Sequence, residues 1–320
     1  MPPADEARLN QWISGIDQFN DTIGDGTTRH YMTATECACR EYIRSEMEKL
    51  GLRVEVDCMG NVHGTLPGTE PDLAPVWTGS HFDTVLHGGR FDGVAGVVTG
   101  MEALHLIASS GAAHRRDLTV IAYGGEEPAR FGIGCIGSRA MAGRLSVEDL
   151  KSLRDQDGTV LYDEMKLRGF DPDAIASCRR KEGDVFCSLE LHIEQNKVLE
   201  ERNLPLGIVK AICSALNFVV TVTGQAAHAG GMPMDVRKDA YAAACEMSLA
   251  LESLVRENRL SEYCTGTVGY VQLSPNAPNI IPGQVQFTVD IRDCNAASKD
   301  ALMNAVQEEF QKIAEKRGVG

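Results

Sequence analysis

Positive charge is in short supply: 31 Lys and Arg face 45 Asp and Glu, for a formal charge of −14. Nucleic acid and anionic membrane surfaces both reward basic patches, so the balance predicts neither as a partner, while leaving room for a local cationic pocket. Long apolar runs are missing too. None approaches the roughly eighteen residues of a spanning helix, and residues 1–10 lack the charged-then-apolar order of a secretory signal. The expectation is a folded, cytoplasmic protein. Ten cysteines occur, without a C-x-x-C pair or a dense disulfide framework. They are expected to be reduced and buried. Internal repeats and low-complexity tracts are also lacking.

What is present is ordinary globular material, 43% apolar and 24% charged. A chain of 320 residues exceeds one ordinary core, so two domains are expected, 1–205 and 206–320, with the break near Pro205-Leu206-Gly207. In the first, Thr33 and Glu36 read as a capping box before an amphipathic helix over 37–50. Strands follow at 53–57 and 62–66 around Met59-Gly60-Asn61, then at 75–80, 118–123 and 185–191, with a helix at 94–109. This alternation is of the α/β class. The polar stretch 145–183 reads as a surface excursion. Beyond 206, strands at 218–223, 266–273 and 285–291 with helices at 239–258 and 299–317 predict an α+β sandwich on one antiparallel sheet.

Histidines and carboxylates recur where strands end. His81-Phe82-Asp83 follows an apolar run, and the spacing puts His81 and Asp83 on one side of extended backbone. An imidazole that binds metal through one nitrogen donates its other N–H, so Asp83 is suited to orient His81. Asp92 sits in Gly88-Gly89-Arg90-Phe91-Asp92-Gly93, whose glycines allow a sharp loop. A phosphate loop is excluded there, because no Gly-Lys-Ser or Gly-Lys-Thr follows. After the strand over 118–123 come Glu126 and Glu127, of which one can bind metal while the other faces water as a general base. Taken singly, H-x-D could be surface decoration and Glu126-Glu127 a solvated acidic loop. Glu190 to Gln195 ends a further apolar run with His192. Four such ends, without cysteine, favour a catalytic zinc or manganese pair over a structural site.

Together, His81-Phe82-Asp83, Asp92-Gly93, Glu126 through Gly132, Ile136 through Gly143 and His192-Ile193-Glu194-Gln195 resemble one family. It is the hydantoinase/carbamoylase branch of the aminoacylase-like metallopeptidases, with N-carbamoyl-L-amino-acid hydrolases, allantoate and ureidoglycolate amidohydrolases and β-ureidopropionases. The resemblance implies an α/β, two-metal aminopeptidase-like catalytic domain with an inserted α+β lid and dimerisation domain. It makes His81 and His192 ligands of one metal, Glu127 a ligand of the other, Asp92 the bridge and Glu126 the general base. His228, in Gly224 through Gly230, would stabilise the oxyanion, often across a dimer interface. Asn279 and Arg292 would hold substrate, the arginine by its carboxylate, and Gln195 would contact the ureido group.

The implied cofactors are two divalent ions, zinc or manganese, with cobalt or nickel as further options. The implied partners are a small ureido or amide substrate carrying a carboxylate and a second copy of the chain bound through the lid. The expected reaction is hydrolysis of a C–N bond in an N-carbamoyl-L-amino acid or related ureido acid, with release of ammonia and carbon dioxide. Allantoate or ureidoglycolate hydrolysis, which Pro128 favours, is one alternative, and an aminoacylase or dipeptidase is another. The resembled family continues past the lid to a histidine of the second metal, and no histidine follows His228 here. From this the sequence predicts an incomplete catalytic domain with one tightly held metal, and offers a further alternative, an inactive truncated dimerisation module.

Overall fold

Hydrophobic strands with glycine-bounded helices build the first part of the chain. In the computed structural model, which describes residues 3–258, 260, 261 and 263–320, the chain divides into two compact units, Met1–Glu201 and Arg202–Gly320. Among the described residues no helix is long and apolar enough to cross a membrane.

The first unit opens with α1 (Glu6–Asp17), capped by Asp5, which the sequence pattern did not reveal. Helix α2 (Ala34–Lys49) follows Thr33, whose hydroxyl accepts from the Glu36 N–H. The expected capping box is only half formed, because the Glu36 carboxylate instead meets Arg40 and the Met32 amide, fully buried. Strands β1 (Arg53–Val56) and β2 (Val62–Leu66) make the expected hairpin, pairing Arg53 with Thr65 and Val56 with Val62. They join β3 (Val76–His81), β4 (Leu118–Tyr123) and β5 (Cys187–Leu189) in one sheet of order β1-β2-β4-β3-β5. β3 runs parallel to both β4 and β5, which aligns the carboxyl ends of the three.

Between β3 and β4 runs α3 (Val94–Ser110), with Val94, Val97, Val98, Met101 and Leu104 buried at helical spacing against the sheet. Gly79 in β3, at φ 129°, sits so near β4 that a Cβ there would lie 1.9 Å from the Ile121 carbonyl oxygen.

Two sequence expectations fail in this unit. The stretch 145–183 is no surface excursion. With α4 (Ile136–Met141) it folds into α5 (Val147–Ser152), α6 (Leu161–Leu167) and a 3-10 turn at Pro172–Cys178, burying Leu150, Leu161, Met165, Ile175 and Cys178 against Tyr31, Met32 and Ile121. Nor are the cysteines uniformly buried: Cys39 and Cys178 are, but Cys187, Cys213 and Cys245 are exposed.

After α7 (Val198–Glu201), the second unit contains Pro205, where the sequence placed its boundary. Strands β6 (Ser214–Thr223), β8 (Thr265–Ser274) and β10 (Gln284–Asp293) form an antiparallel sheet of order β6-β10-β8, while β7 (Ala227–His228) and β9 (Ile280–Ile281) form a small ladder beside it. Alternate β10 residues Val285, Phe287, Val289 and Ile291 are buried with Met247 and Leu251 of α8 (Ala240–Glu257) and Val306 and Phe310 of α9 (Ala296–Arg317). Each large side chain removed from water there contributes about 1.5–3 kcal/mol.

Candidate metal centre

The aligned ends of β3 and β4 deliver the candidate residues of the first unit. His81, the last residue of β3, is 2% exposed. Its Nδ1 lies 2.9 Å from the Asp83 carbonyl oxygen. That partner places the proton on Nδ1 and leaves Nε2 with a lone pair. His192 repeats the arrangement, with Nδ1 2.9 Å from the Ile193 carbonyl oxygen. The two Nε2 atoms face each other at 3.4 Å, with the rings stacked. Neither then has a proton for the other, so the contact is no hydrogen bond, and two convergent lone pairs suit a shared cation. Asp92 Oδ1 stands 3.3 Å from His192 Nε2 and 3.8 Å from His81 Nε2. Two nitrogens and one carboxylate are a donor set suited to zinc and similar ions. A second group, His81, Glu126 and Glu127, brings its donor atoms within 4.8 Å of one another.

The local chain path explains this convergence. Gly93 has φ 64°, and a Cβ there would meet the His81 carbonyl oxygen at 2.4 Å, so the Asp92-Gly93 turn closes directly against the histidine. Asp83, 1% exposed, accepts the Glu126 N–H at Oδ1 and the Glu127 N–H at Oδ2, each at 3.0 Å. The expected carboxylate contact to His81 is therefore replaced by a carbonyl contact, since the Asp83 carboxylate stays 3.9 Å from Nδ1. Its two oxygens are already committed to tying β4 to β3.

Charge crowds this pocket. Burial pushes Glu127 up to about 7, the negative Glu126, Asp83 and Asp92 adding to the shift while His81 opposes it. Burial alone would lower His81, but Asp83, Glu126 and Asp92 outweigh it and raise the imidazole. The anionic neighbours contribute to both shifts, and a bound cation relieves that part of them.

Gln195, which the sequence assigned to substrate, donates through Nε2 to both oxygens of Asp92, at 3.0 and 2.9 Å. It holds φ 57°, beside Glu194, whose carboxylate accepts the Val198 and Leu199 amides. Two neighbours were missed by sequence reasoning. Glu190 accepts from Ser80 at 2.6 Å, and its two-residue spacing from His192 along an extended chain was a usable signal. The Cys135 thiol lies 3.4 Å from Glu126 Oε1, a contact that only the fold creates.

In the second unit, His228 is exposed on β7, opposite Ile280 of β9. Its Nδ1 accepts the Gly230 N–H at 3.1 Å, which leaves the proton on Nε2 as a donor to solvent. Asn279 is close by, its carbonyl accepting from the Ala229 amide. Arg292 is not. It lies near the opposite end of β10, paired with Asp290 at 3.1 Å.

Residues 65–319 match peptidase family M20/M25/M40. An N-carbamoyl-L-amino acid amidohydrolase of Geobacillus stearothermophilus is 39% identical over 312 residues, 98% of this chain and 75% of that protein. A ureidoglycolate hydrolase of Arabidopsis thaliana is 36% identical over 320 residues, 98% of this chain and 67% of that protein. The crystal structure of a hydantoinase/carbamoylase family amidase from Burkholderia multivorans superimposes with a TM-score of 0.88 at 31% identity, covering 99% of this chain and 76% of that one.

Proposed function

This chain belongs to peptidase family M20/M25/M40, within its hydantoinase/carbamoylase group, and on that premise we propose that it hydrolyses a C–N bond of an N-carbamoyl-L-amino acid or related ureido acid, releasing ammonia and carbon dioxide. The observation that carries the reading is the facing Nε2 pair of His81 and His192 with Asp92 beside it and Glu126 at its edge. The relatives are named for this class of C–N hydrolysis, on N-carbamoyl-L-amino acids and on ureidoglycolate.

His81, Asp92 and His192 would hold one divalent ion, zinc or manganese, and Glu127 with Asp92 a second. Such ions acidify a water and polarise a carbonyl oxygen. Glu126 takes a proton from the attacking water and returns it to the leaving nitrogen. His228 donates its Nε2–H to the developing oxyanion. Gln195 contacts the ureido group, Asn279 helps hold the substrate, and Arg292 exchanges Asp290 for the substrate carboxylate in a two-pronged contact.

The placement of His228 and Arg292 favours a homodimer. β6 runs antiparallel to β10, pairing Thr223 with Gln284 and Ser214 with Asp293, so His228 lies beyond one end of β10 and Arg292 near the other. Ten extended residues span about 30 Å, more than one small substrate bridges. In this reading the two side chains of one copy serve different substrates, and each site draws one of them from the partner.

Assaying the purified chain, supplied with zinc or manganese, against N-carbamoyl-L-amino acids, allantoate, ureidoglycolate, N-acetyl amino acids and dipeptides tests the proposal. Ammonia release from one of the ureido acids is expected. Acetate or free amino acids from the acyl and peptide substrates, with no ammonia from any ureido acid, would overturn it.

A further inference from the structure

Three cysteines line one end of the sheet in the second unit. Cys213 immediately precedes β6, Cys294 immediately follows β10 and Cys264 immediately precedes β8. The register that pairs Ser214 with Asp293 and Thr265 with Arg292 sets all three at that end. Cys213 and Cys294 are the next facing positions beyond the last ladder pair, and their sulfurs lie 3.0 Å apart. This is closer than two unbonded sulfurs normally rest and about 1 Å longer than the bond of about 2.04 Å that would join them. Facing residues of an antiparallel ladder hold their Cβ atoms about 4.5–5.5 Å apart, just beyond the disulfide range. At a ladder end, where no further pair fixes the backbone, that gap closes with a small movement.

Access and chemistry agree with the geometry. Cys213 is exposed and Cys294 half-exposed, so small oxidants and reductants reach both. Cys264, the third thiol, packs against the apolar core under the sheet and is the less available of the possible partners for Cys294.

We propose that Cys213 and Cys294 form a redox-modification site, at which an oxidant of the disulfide or peroxide class closes an intramolecular disulfide. With a small disulfide such as oxidised glutathione, the two protein thiols lose two hydrogens, the Cys213–Cys294 bond forms, and the reagent leaves as two thiols. With hydrogen peroxide, the same two hydrogens and two electrons leave in two waters. A thiol reductant reverses the step. The thiolate is the attacking species, so closure accelerates as pH rises. The bond clips two positions 81 residues apart and restrains the unfolded chain. The inference does not depend on the catalytic reading.

The test takes the reduced full-length chain, exposes it to oxidised glutathione, blocks the remaining thiols with an alkylating reagent and maps the peptides by mass spectrometry. The Cys213 and Cys294 peptides are expected to leave the alkylated pool and reappear joined, and the Tm to rise by roughly 5 °C or more and fall back with dithiothreitol. Cys213→Ser and Cys294→Ser abolish both effects, and Cys264→Ser keeps them. Should a variant fail to fold, the wild-type map decides alone. Cys213 and Cys294 still fully alkylated after oxidation, Cys294 joined to Cys264, or a bond between two chains on non-reducing gels would each overturn the proposal.

Discussion

The two units present their candidate residues differently. In the first, side chains from distant chain positions converge on a buried residue: His81 is held on the Asp83 carbonyl and the Glu126-Glu127 backbone on the Asp83 carboxylate, while His192 meets His81 from an exposed segment. In the second, His228, Asn279 and Arg292 are all exposed and divided between two ends of a sheet. Under the proposed function, the contrast follows from what each task requires. A metal set must be held close to its final geometry before the ion arrives. Residues that grip a substrate can stay on a surface until assembly brings them to it. The first unit should therefore govern metal content, and the second only rate and substrate affinity.

That division can be broken by substitution. The largest effect is expected from His192→Ala, which removes a nitrogen from the His81-Asp92-His192 set. Metal affinity should fall by more than the roughly 100-fold that loss of an outer partner costs, and turnover should vanish with it. Full metal content by elemental analysis of this variant would dissolve the proposed set. Next comes Glu126→Gln, expected to lower kcat by about 10³-fold with metal content unchanged. Lost metal would make Glu126 a ligand rather than a base.

For the second unit, His228→Ala should lower kcat by about 10²-fold and leave the metal in place. Mixing this variant with Glu126→Gln sharpens the comparison. If His228 crosses between copies, half of the reassorted dimers regain one intact site, so about a quarter of wild-type activity returns. No recovery in dimers shown to have exchanged subunits would place His228 in its own chain's site.

The smallest effect concerns pH. Glu127 is pushed up to about 7 from an ordinary value of 4.5, so between those values the folded chain binds more protons than the unfolded one. Stability from this group is present at low pH and lost as pH rises through the window. The raised His81 acts in the same direction. Without metal, the Tm should fall by a few degrees from pH 5 to pH 7.5, and Glu127→Gln should flatten the slope. Zinc added at pH 7.5 should restore the loss. Identical pH profiles for wild type and variant would remove Glu127 from the account.

Much of this was legible in the sequence because strand-end motifs are local. His81-x-Asp83, Glu126-Glu127 and His192 each follow an apolar run, and the parallel strands need only align for them to meet. The sheet and two helices of the second unit were equally visible from their periodicity. What stayed hidden depends on tertiary partners. Leu150, Leu161, Met165 and Ile175 fall on helices of a single turn or two, too short to show a repeat within a polar stretch. Glu36 and Arg40 look like surface charges and are buried only because they pair. The choice of the Asp83 carbonyl over its carboxylate for His81 is set by two amides 43 and 44 residues further on.

Those two amides also carry a clock. Backbone N–H groups in glycine-rich loops ordinarily trade hydrogen with water quickly, but the Glu126 and Glu127 N–H groups end on a carboxylate that is 1% exposed. They can exchange only when the ends of β3 and β4 part, so their rates report the opening of that junction rather than the motion of the loop. Two slow deuterium uptakes in an otherwise fast segment are expected. Asp83→Asn, with one acceptor oxygen left for two donors, should release one of them and turn a locked junction into one that breathes.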